Sequence, residues 1–430
     1  MYAAVPYGTA AIFYAILPAM DGEEERDHKK LGAKLDLFIF SNTVGKGLPL
    51  FTPKGAVVRR ELERFIVDEE TRRGYQHVYT PEIAKLDLYK KSGHYPHYRD
   101  SMYAPIEIDD EQFMLRPMTC PHHFELYLSR PHSYRELPVR IAELAKLFRY
   151  EQSGELMGLQ RVRTFCLSDA HIICASEEQT VEEVEKALDL IEYVNGVLGL
   201  TLGRDYRYRL SLGDRDNKEK YPGNKEVWEK SEALLRNAMK KRGVEFEEAK
   251  GEASFYGPKI DIQMKNANGK EDTAFTVQYD FLMPERFDLT YVGEDGKPHR
   301  AFVVHRSSIG AIERTMAFLI EKYGGAFPTW LAPVQARVLS VSEKSTTYTN
   351  EVLAALKGAG IRAEADISDE SLGKKIREAK TEKIPYLLVV GDKEAESKTV
   401  SIESRDKGKQ ETTPLLDFIA AISEEIRTRK

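Results

Sequence analysis

The sequence predicts an α+β domain built on an antiparallel sheet, followed by a small α/β domain. Between residues 112 and 280, β-like runs succeed one another with few intervening helices, which favours antiparallel pairing over the crossovers of a parallel sheet. FPTWLAPVQ, Phe327 to Gln335, is a proline-punctuated link. Beyond it the rhythm becomes strand, helix, strand, helix, strand, the alternation of a largely parallel sheet. A length of 430 residues suits two or three domains of about 150 each. With 42% hydrophobic and 31% charged residues, the composition excludes intrinsic disorder, collagen-like repeats and a multi-span membrane protein.

The elements follow in order. The first twenty residues, MYAAVPYGTAAIFYAILPAM, carry no charge, but two prolines, a glycine and the lack of a basic start argue against a signal peptide or a spanning helix. DGEEERDHKKLGAKLDLF is a charged, helix-prone lead-in. From Ala56 to Arg73 apolar residues recur at helical spacing, and Gly74 ends the helix. HVYTPEI is a short β-like run with Pro81 at a strand end, and FMLRP is a strand before a helix starting near Pro121. VRIAELAKLFRYE, the loop EQSGELMGLQ and RVRTFCLSDAHII read as a hairpin, followed by an amphipathic helix entered at Ser176. RYRLSL, KIDIQMK and AFTVQYDF are further strands around a helix near EVWEKSEALLRNAMKK, and HRSSIGAIERTMAFLIEKYGG reads as one buried helix capped by two glycines. In the second domain ARVLSVS, IRAEADIS, PYLLVVGD and TVSIES are strands, with helices at TNEVLAALKGAG, GKKIREAKTEK and PLLDFIAAISEEIRTR.

Charge and cysteine content narrow the setting. Lys and Arg total 63 against 69 Asp and Glu, a net charge of −6. Over residues 336–430 the two signs balance at 17 each, so the excess acid belongs to the first part. This excludes a surface that coats polyanions indiscriminately, but nucleic-acid binding depends on where the basic residues sit. Three cysteines, Cys120, Cys166 and Cys174, are too few for a disulfide framework and point to a reducing, cytoplasmic compartment.

Three constellations could carry chemistry. Arg149-Tyr150-Glu151, with Arg161, Arg163 and Phe165 across a loop, puts arginines and a carboxylate at a hairpin mouth. Arginine forks grip phosphate bidentately and a carboxylate can accept from an exocyclic amine. A solvated charged hairpin is the plainer reading, with Phe165 either stacking on a base or sitting in the core. Gly310-Ala311-Ile312-Glu313-Arg314 places a glycine inside an apolar helix, at a cost of about 1 kcal/mol against alanine, so something approaches closely there. Arg314 would share its face and could meet a phosphate; a packing glycine and a surface arginine are the alternative. Cys120, His171 and His305 are the residue types of a substrate-accepting zinc site, yet far apart in sequence. His122 with His123, and His94 with His97, are rival ligands, and a lone histidine in an apolar run is more often core.

In order along the chain, these signals resemble class II aminoacyl-tRNA synthetases. LFRYE is similar to the class's motif 2, GAIER to motif 3, and the helix ending at Gly74 with Pro81 beyond it to motif 1. Within the class, RDHKKLGAKLDLF, TPKGA, LRPMTCPHH, YRELPVRIAEL, SGELMGLQRVRTF, DAHI, FYGPKIDI, YVGEDGKPHRAFVVHR, FPTWLAPVQ and GIRAEADIS resemble the threonyl family. The prolyl and seryl branches share the first half of the pattern without needing Cys120 and His171 together. The resemblance implies an unassigned segment over 1–25, a class II catalytic domain over 26–327 and an anticodon-binding domain over 333–430. It implies activation of L-threonine with Mg²⁺-ATP and transfer to the 3′ end of tRNA(Thr), by a cytoplasmic homodimer with no membrane association. The alternative is a catalytically decayed paralogue that binds tRNA or regulates.

Carried over by position, the resemblance has Cys120, His171 and His305 hold one Zn²⁺ per chain, with Asp169 on the threonine hydroxyl. Arg149 would hold the α-phosphate, Arg161 and Arg314 the β- and γ-phosphates, Glu151 the adenine amine and Phe165 the adenine face. Gln278 and Lys259 would line the adenylate site, Tyr256 and Met118 would lie near the amino acid, and Arg377 and Glu394 would read the anticodon. Departures are His122 where the family has glycine, which bears on the backbone beside the metal, Ala311 for serine and Thr273 for glutamine. Asp369 and Glu403 stand where Asn and Arg are expected, and acidic groups there would repel anticodon phosphates. PYGTAA resembles the end of the family's editing domain, FYAILPAMDG matches nothing expected, and the length leaves no room for that domain or the small one before it.

Overall fold

A computed structural model of the chain describes residues 26–267 and 269–429; the expected leading segment, 1–25, lies outside them. The described chain divides into two compact units, Arg26–Pro333 with residues 422–429, and Val334–Ala421. No helix among the described residues is long and apolar enough to cross a membrane.

The first unit is organised by one eight-stranded sheet. Its strands are β1 (Gln76–His77), β2 (Val139–Phe148), β3 (Thr164–Cys174), β4 (Tyr206–Leu212), β5 (Phe246–Lys250), β6 (Lys259–Lys265), β7 (Glu271–Asp280) and β8 (Phe302–Ser307). They lie in the order β5-β4-β6-β7-β8-β3-β2-β1. All inner pairings are antiparallel, as the sequence predicts, and only the outer pairs β5-β4 and β1-β2 are parallel.

Alternation along these strands sorts the residues by face. Ile260 and Ile262, Phe275 and Val277, Val304, Ala170 and Ile172 all enter one hydrophobic core. The helices that cover that face are α2 (Pro53–Arg72), α4 (Glu177–Val197), α5 (Lys225–Arg242) and α6 (Ile312–Tyr323), which supply Val58, Leu62, Val184, Leu188, Leu235 and Met316. Lys259, Gln278, His305, Asp169 and His171 alternate with the core residues and face the other way, into a cavity.

Local chemistry sets the helix ends. Thr52 accepts the Gly55 N–H and Pro53 opens α2, whose buried Val58, Leu62, Phe65, Ile66 and Glu69 keep helical spacing. Gly74 follows α2 with φ +84°. Ser176 caps α4 through the Gln179 N–H at 3.2 Å, and the Gln179 side chain returns to the Ala175 N–H at 2.8 Å. Two short elements precede the cavity wall: α1 (His28–Lys34), and α3 (Cys120–Leu128), with proline at its second position.

One expectation fails at HRSSIGAIER. His305 lies on β8, not on a helix, and α6 begins only at Ile312. Gly310 precedes α6 with φ +69°, and a Cβ there would sit 2.3 Å from the Ala274 carbonyl oxygen. The close approach inferred from that glycine exists, but the neighbour is the β7 backbone.

The second unit holds a five-stranded sheet of β9 (Ala336–Ser340), β10 (Ala363–Asp366), β11 (Tyr386–Val390), β12 (Thr399–Ser404) and β13 (Gly408–Pro414), ordered β10-β9-β11-β12-β13. Its first three strands are parallel and its last two antiparallel, so the sheet is less parallel than expected. Its helices are α7 (Thr346–Gly358), α8 (Leu372–Thr381), α9 (Asp392–Ser397) and the part of α10 (Leu415–Thr428) up to Ala421.

Candidate active site

A cavity of ≈ 460 Å³ opens on the polar face of the first unit's sheet. Cys120, Arg149, Glu151, Arg161, Phe165, Asp169, His171, Tyr256, Lys259, Gln278, His305, Arg314 and Met118 all line it, so every residue assigned to the catalytic domain converges there. Strand register explains how. Lys259 pairs with Gln278, Gln278 with His305, and His305 with His171, which makes one transverse row across β6, β7, β8 and β3. Asp169 and Phe165, offset from His171 by even numbers of residues, share its face.

At one end Cys120, the first residue of α3, meets the row. One ligand atom from each of Cys120, His171 and His305 lies within 4.8 Å of the others, and all three residues are buried. Their outward contacts were not foreseen. His305 Nε2 is 2.7 Å from Asp280 Oδ2, and Asp280 Oδ1 accepts the Leu282 and Met283 N–H groups at 2.9 Å. His171 Nδ1 is 2.8 Å from His123 Nδ1, and His123 Nε2 lies 3.3 Å from Glu143 Oε2. Each histidine thus spends one ring nitrogen on a protein partner and keeps the other; for His305 that partner is a carboxylate, the arrangement that orients metal-ligating imidazoles, and for His171 it is a second imidazole backed by Glu143. Burial pushes His171 well below its ordinary value, which favours the neutral form that a ligand must have. Burial also raises the Cys120 thiol, with Asp169 and Asp280 adding to the effect, and its sulfur lies 3.6 Å from His94 Nε2.

Of the rival histidines, His94 and His123 touch the cluster, at Cys120 and His171, and the other two lie outside it. His97 stacks on Phe255 at 4.6 Å, and His122 continues α3 without disturbing it, its ring 6.2 Å from Tyr89. Neither ring nitrogen of His122 has a hydrogen-bond partner, and burial pushes it down to about 4.

At the other end lie the arginines. The Arg149 guanidinium sits 5.1 Å above the Phe165 ring, on a face that adenine could use only after the guanidinium moves. Arg314 donates from Nε to the Gln160 carbonyl at 3.0 Å and from Nη1 to that of Thr273. Arg161 lies 4.0 Å from Asp272, and Lys259 pairs with the buried Asp261 at 3.1 Å. Between the two ends, the Gln278 carbonyl accepts from Tyr256 at 2.7 Å and Ser254 at 3.1 Å, while Tyr256 stacks on His305 at 4.9 Å. Burial holds the Asp169 carboxyl above its usual range.

Arg377 and Glu394 belong to the second unit. Arg377 is exposed on α8, whereas the Glu394 carboxylate caps its own helix through the Gly391 N–H at 2.9 Å and accepts from Ser401 at 2.9 Å. Asp369 is exposed, but Glu403 is paired with Lys380 at 2.5 Å, which offsets the repulsion its charge would exert on phosphate.

Comparisons with known proteins agree with this layout. Residues 103–323 match the tRNA synthetase class II core domain (G, H, P, S and T), and residues 335–425 the anticodon binding domain. Threonine–tRNA ligase of Geobacillus sp. (strain WCH70) is 54% identical over 405 residues, covering 94% of this chain and 62% of that protein. The chain thus spans less than two thirds of the length of such curated relatives. A structure described as the RNA binding domain of threonyl-tRNA synthetase from Cryptosporidium parvum Iowa II aligns with a TM-score of 0.87 and 37% identity, over 93% of this chain and 98% of that one. Prolyl-tRNA synthetase from Cryptosporidium parvum, at 16% identity and a TM-score of 0.68 over 94% of this chain and 75% of that one, shares the fold alone. The chain belongs to the threonyl-tRNA synthetase family of the class II tRNA synthetases.

Proposed function

We propose that this chain activates L-threonine with Mg²⁺-ATP to threonyl-adenylate and passes the threonyl group to the 3′ end of tRNA(Thr). The observation that carries the reading is one cavity holding both a Cys120, His171, His305 cluster beside Asp169 and an Arg149, Arg161, Arg314 cluster. The first suits an amino acid with a hydroxyl, the second a nucleoside triphosphate.

The cluster fits zinc in donor type, burial and mutual approach, with Cys120, His171 and His305 as the ligands. Bound there, the ion supplies a Lewis-acid contact for the amino and hydroxyl groups of threonine. Asp169 accepts the hydroxyl proton in a hydrogen bond. Valine offers Asp169 no partner, and a site built to bond a hydroxyl rejects its absence by about 10⁴ to 10⁵. Serine differs only by a methyl group, worth about 1–3 kcal/mol, and is the weaker discrimination. Arg149 holds the α-phosphate, Arg161 and Arg314 neutralise the β- and γ-phosphates, and Glu151 accepts from the adenine amine. Gln278 and Lys259 flank the adenylate, and Tyr256 and Met118 wall the amino acid. Preorganised arginines meet charge as it develops on the transferred phosphorus without reorganising water.

Arg377 of the second unit contributes to anticodon contact. Glu394 can do so only with the part of its carboxylate left by Gly391 and Ser401. The class resemblance supports a homodimer, and three free buried cysteines support a reducing cytoplasm.

Amino-acid-dependent exchange of pyrophosphate into ATP, run with threonine, serine, valine and proline, tests the reading. Threonine leads, serine follows weakly, and valine and proline give background; a proline-led profile or none at all refutes it. Metal analysis gives one zinc per chain, and a metal-free active enzyme would remove the cluster's role.

A further inference from the structure

The RDHKKLG segment takes no part in the site so far described, yet its histidine is tied to it. His28 opens α1, which Asp27 caps through the Lys29 N–H at 2.7 Å, and its ring is 2% exposed. Both ring nitrogens are used. Nε2 accepts the Leu159 main-chain N–H at 3.1 Å, so the proton sits on Nδ1, which donates to Glu321 Oε1 at 2.6 Å. Glu321, near the end of α6, is fixed in turn by the Ala267 N–H at 2.7 Å. From the other side Gly158 closes on the same ring, with φ +51° and no room for a Cβ, which would lie 2.1 Å from His28 Nε2.

What the ring holds is the backbone that shapes the triphosphate end. Leu159, Gln160, Arg161 and Arg314 line the cavity, and His28 does not. The Gln160 carbonyl is the acceptor for Arg314 Nε at 3.0 Å. The Leu159 N–H belongs to the Gly158–Leu159 peptide and the Gln160 carbonyl to the Gln160–Arg161 peptide, two units further along the same turn, so a turn released from the ring would misdirect Arg314 and carry Arg161 with it. A histidine that merely fills a core needs no such pair of directional bonds, one of them to a loop amide that no regular element fixes.

We propose that His28 is a positioning residue for ATP: by fixing the Gly158–Gln160 turn at the Leu159 amide, it sets the direction in which Arg314 and Arg161 face the triphosphate. This rests on the ATP-site reading above.

The test is threonine-dependent pyrophosphate exchange by the full chain, with ATP and threonine varied separately. His28→Ala raises the KM for ATP about tenfold, the effect of losing one buried directional hydrogen bond, and leaves the KM for threonine within about twofold. His28→Gln, whose amide keeps an acceptor toward Leu159 and a donor toward Glu321, recovers most of the loss. Gly158→Ala, which pushes the loop off the ring, reproduces the ATP defect and serves if His28→Ala does not fold. Unchanged KM for ATP in His28→Ala, or in Gly158→Ala where that variant decides, overturns the proposal. So does an equal rise in both KM values that His28→Gln fails to rescue. Absence of threonine-dependent exchange in the unmodified chain refutes the ATP-site reading instead.

Discussion

Asp280 was not legible from the sequence, although the signal existed: in QYD it lies two residues beyond Gln278, on the same face of β7. An aspartate at a strand end resembles a solvated turn until the fold buries it against His305. Asp280→Asn weakens the orienting bond to the imidazole, and zinc affinity falls about 10- to 100-fold, measurable by competition with a chromophoric chelator. Cys120, His171 and His305 could be singled out by residue type, but only the resemblance joined them, since spacing along the chain carries no trace of cross-strand register. A second buried carboxylate behaves differently. Burial alone would raise Glu70, but Arg306 at 2.6 Å, with His77 and Ser308, holds it down at about 2 against an ordinary 4.5. A depressed folded-state value means that the stabilisation is complete above pH 4.5 and disappears as the pH falls toward 2. Glu70→Ala therefore costs about 3–5 kcal/mol at neutral pH, because Arg306 is left buried and unpaired. The acid dependence of the urea midpoint over that window flattens in the variant.

Helices and strands were read well where one period dominates, as in α2, α4 and the alternating KIDIQMK and AFTVQYD. The reading failed where a strand runs into a helix. HRSS, which holds the last three residues of β8, reads with GAIER as the start of one helix, although its polar residues alternate on a buried strand. The structure separates them with Gly310, whose positive φ and contact with the Ala274 carbonyl turn the chain between strand and helix. Arg314 is aimed by that turn, not by a glycine on its own helical face. Gly310→Ala forces an L side chain into the left-handed region against a backbone oxygen, costing at least about 1–3 kcal/mol. The expected result is a lower thermal midpoint together with a raised KM for ATP, since the start of α6 must shift to make room. An unchanged KM would mean that α6 tolerates the shift. In the second unit, β13 was missed because GKQETTP is polar and ends in proline, as an edge strand can be and a central one cannot.

For the whole molecule, the two units divide the chemistry. All the residues assigned to threonine and ATP lie between Met118 and Arg314, within Arg26–Pro333, and the anticodon assignments lie within Val334–Ala421. Arg377→Ala in the full chain should accordingly lower the rate of tRNA charging and reduce its salt dependence, while threonine-dependent pyrophosphate exchange stays unchanged. Loss of both activities together would show that Arg377 supports the fold. The two-part architecture was legible because composition and rhythm change at FPTWLAPVQ, whereas the convergence of thirteen residues on one cavity was not, since it is a property of sheet order. That order has a thermal consequence. Lys259, Gln278, His305 and His171 stand in a single row on four adjacent strands, and the central strands of a domain open only when the domain itself unfolds. If the proposed activity holds, warming the chain should therefore remove molecules from the active population without relaxing those that remain: the ratio of threonine- to serine-dependent exchange holds nearly flat up to the unfolding transition, and accuracy ends where the fold ends.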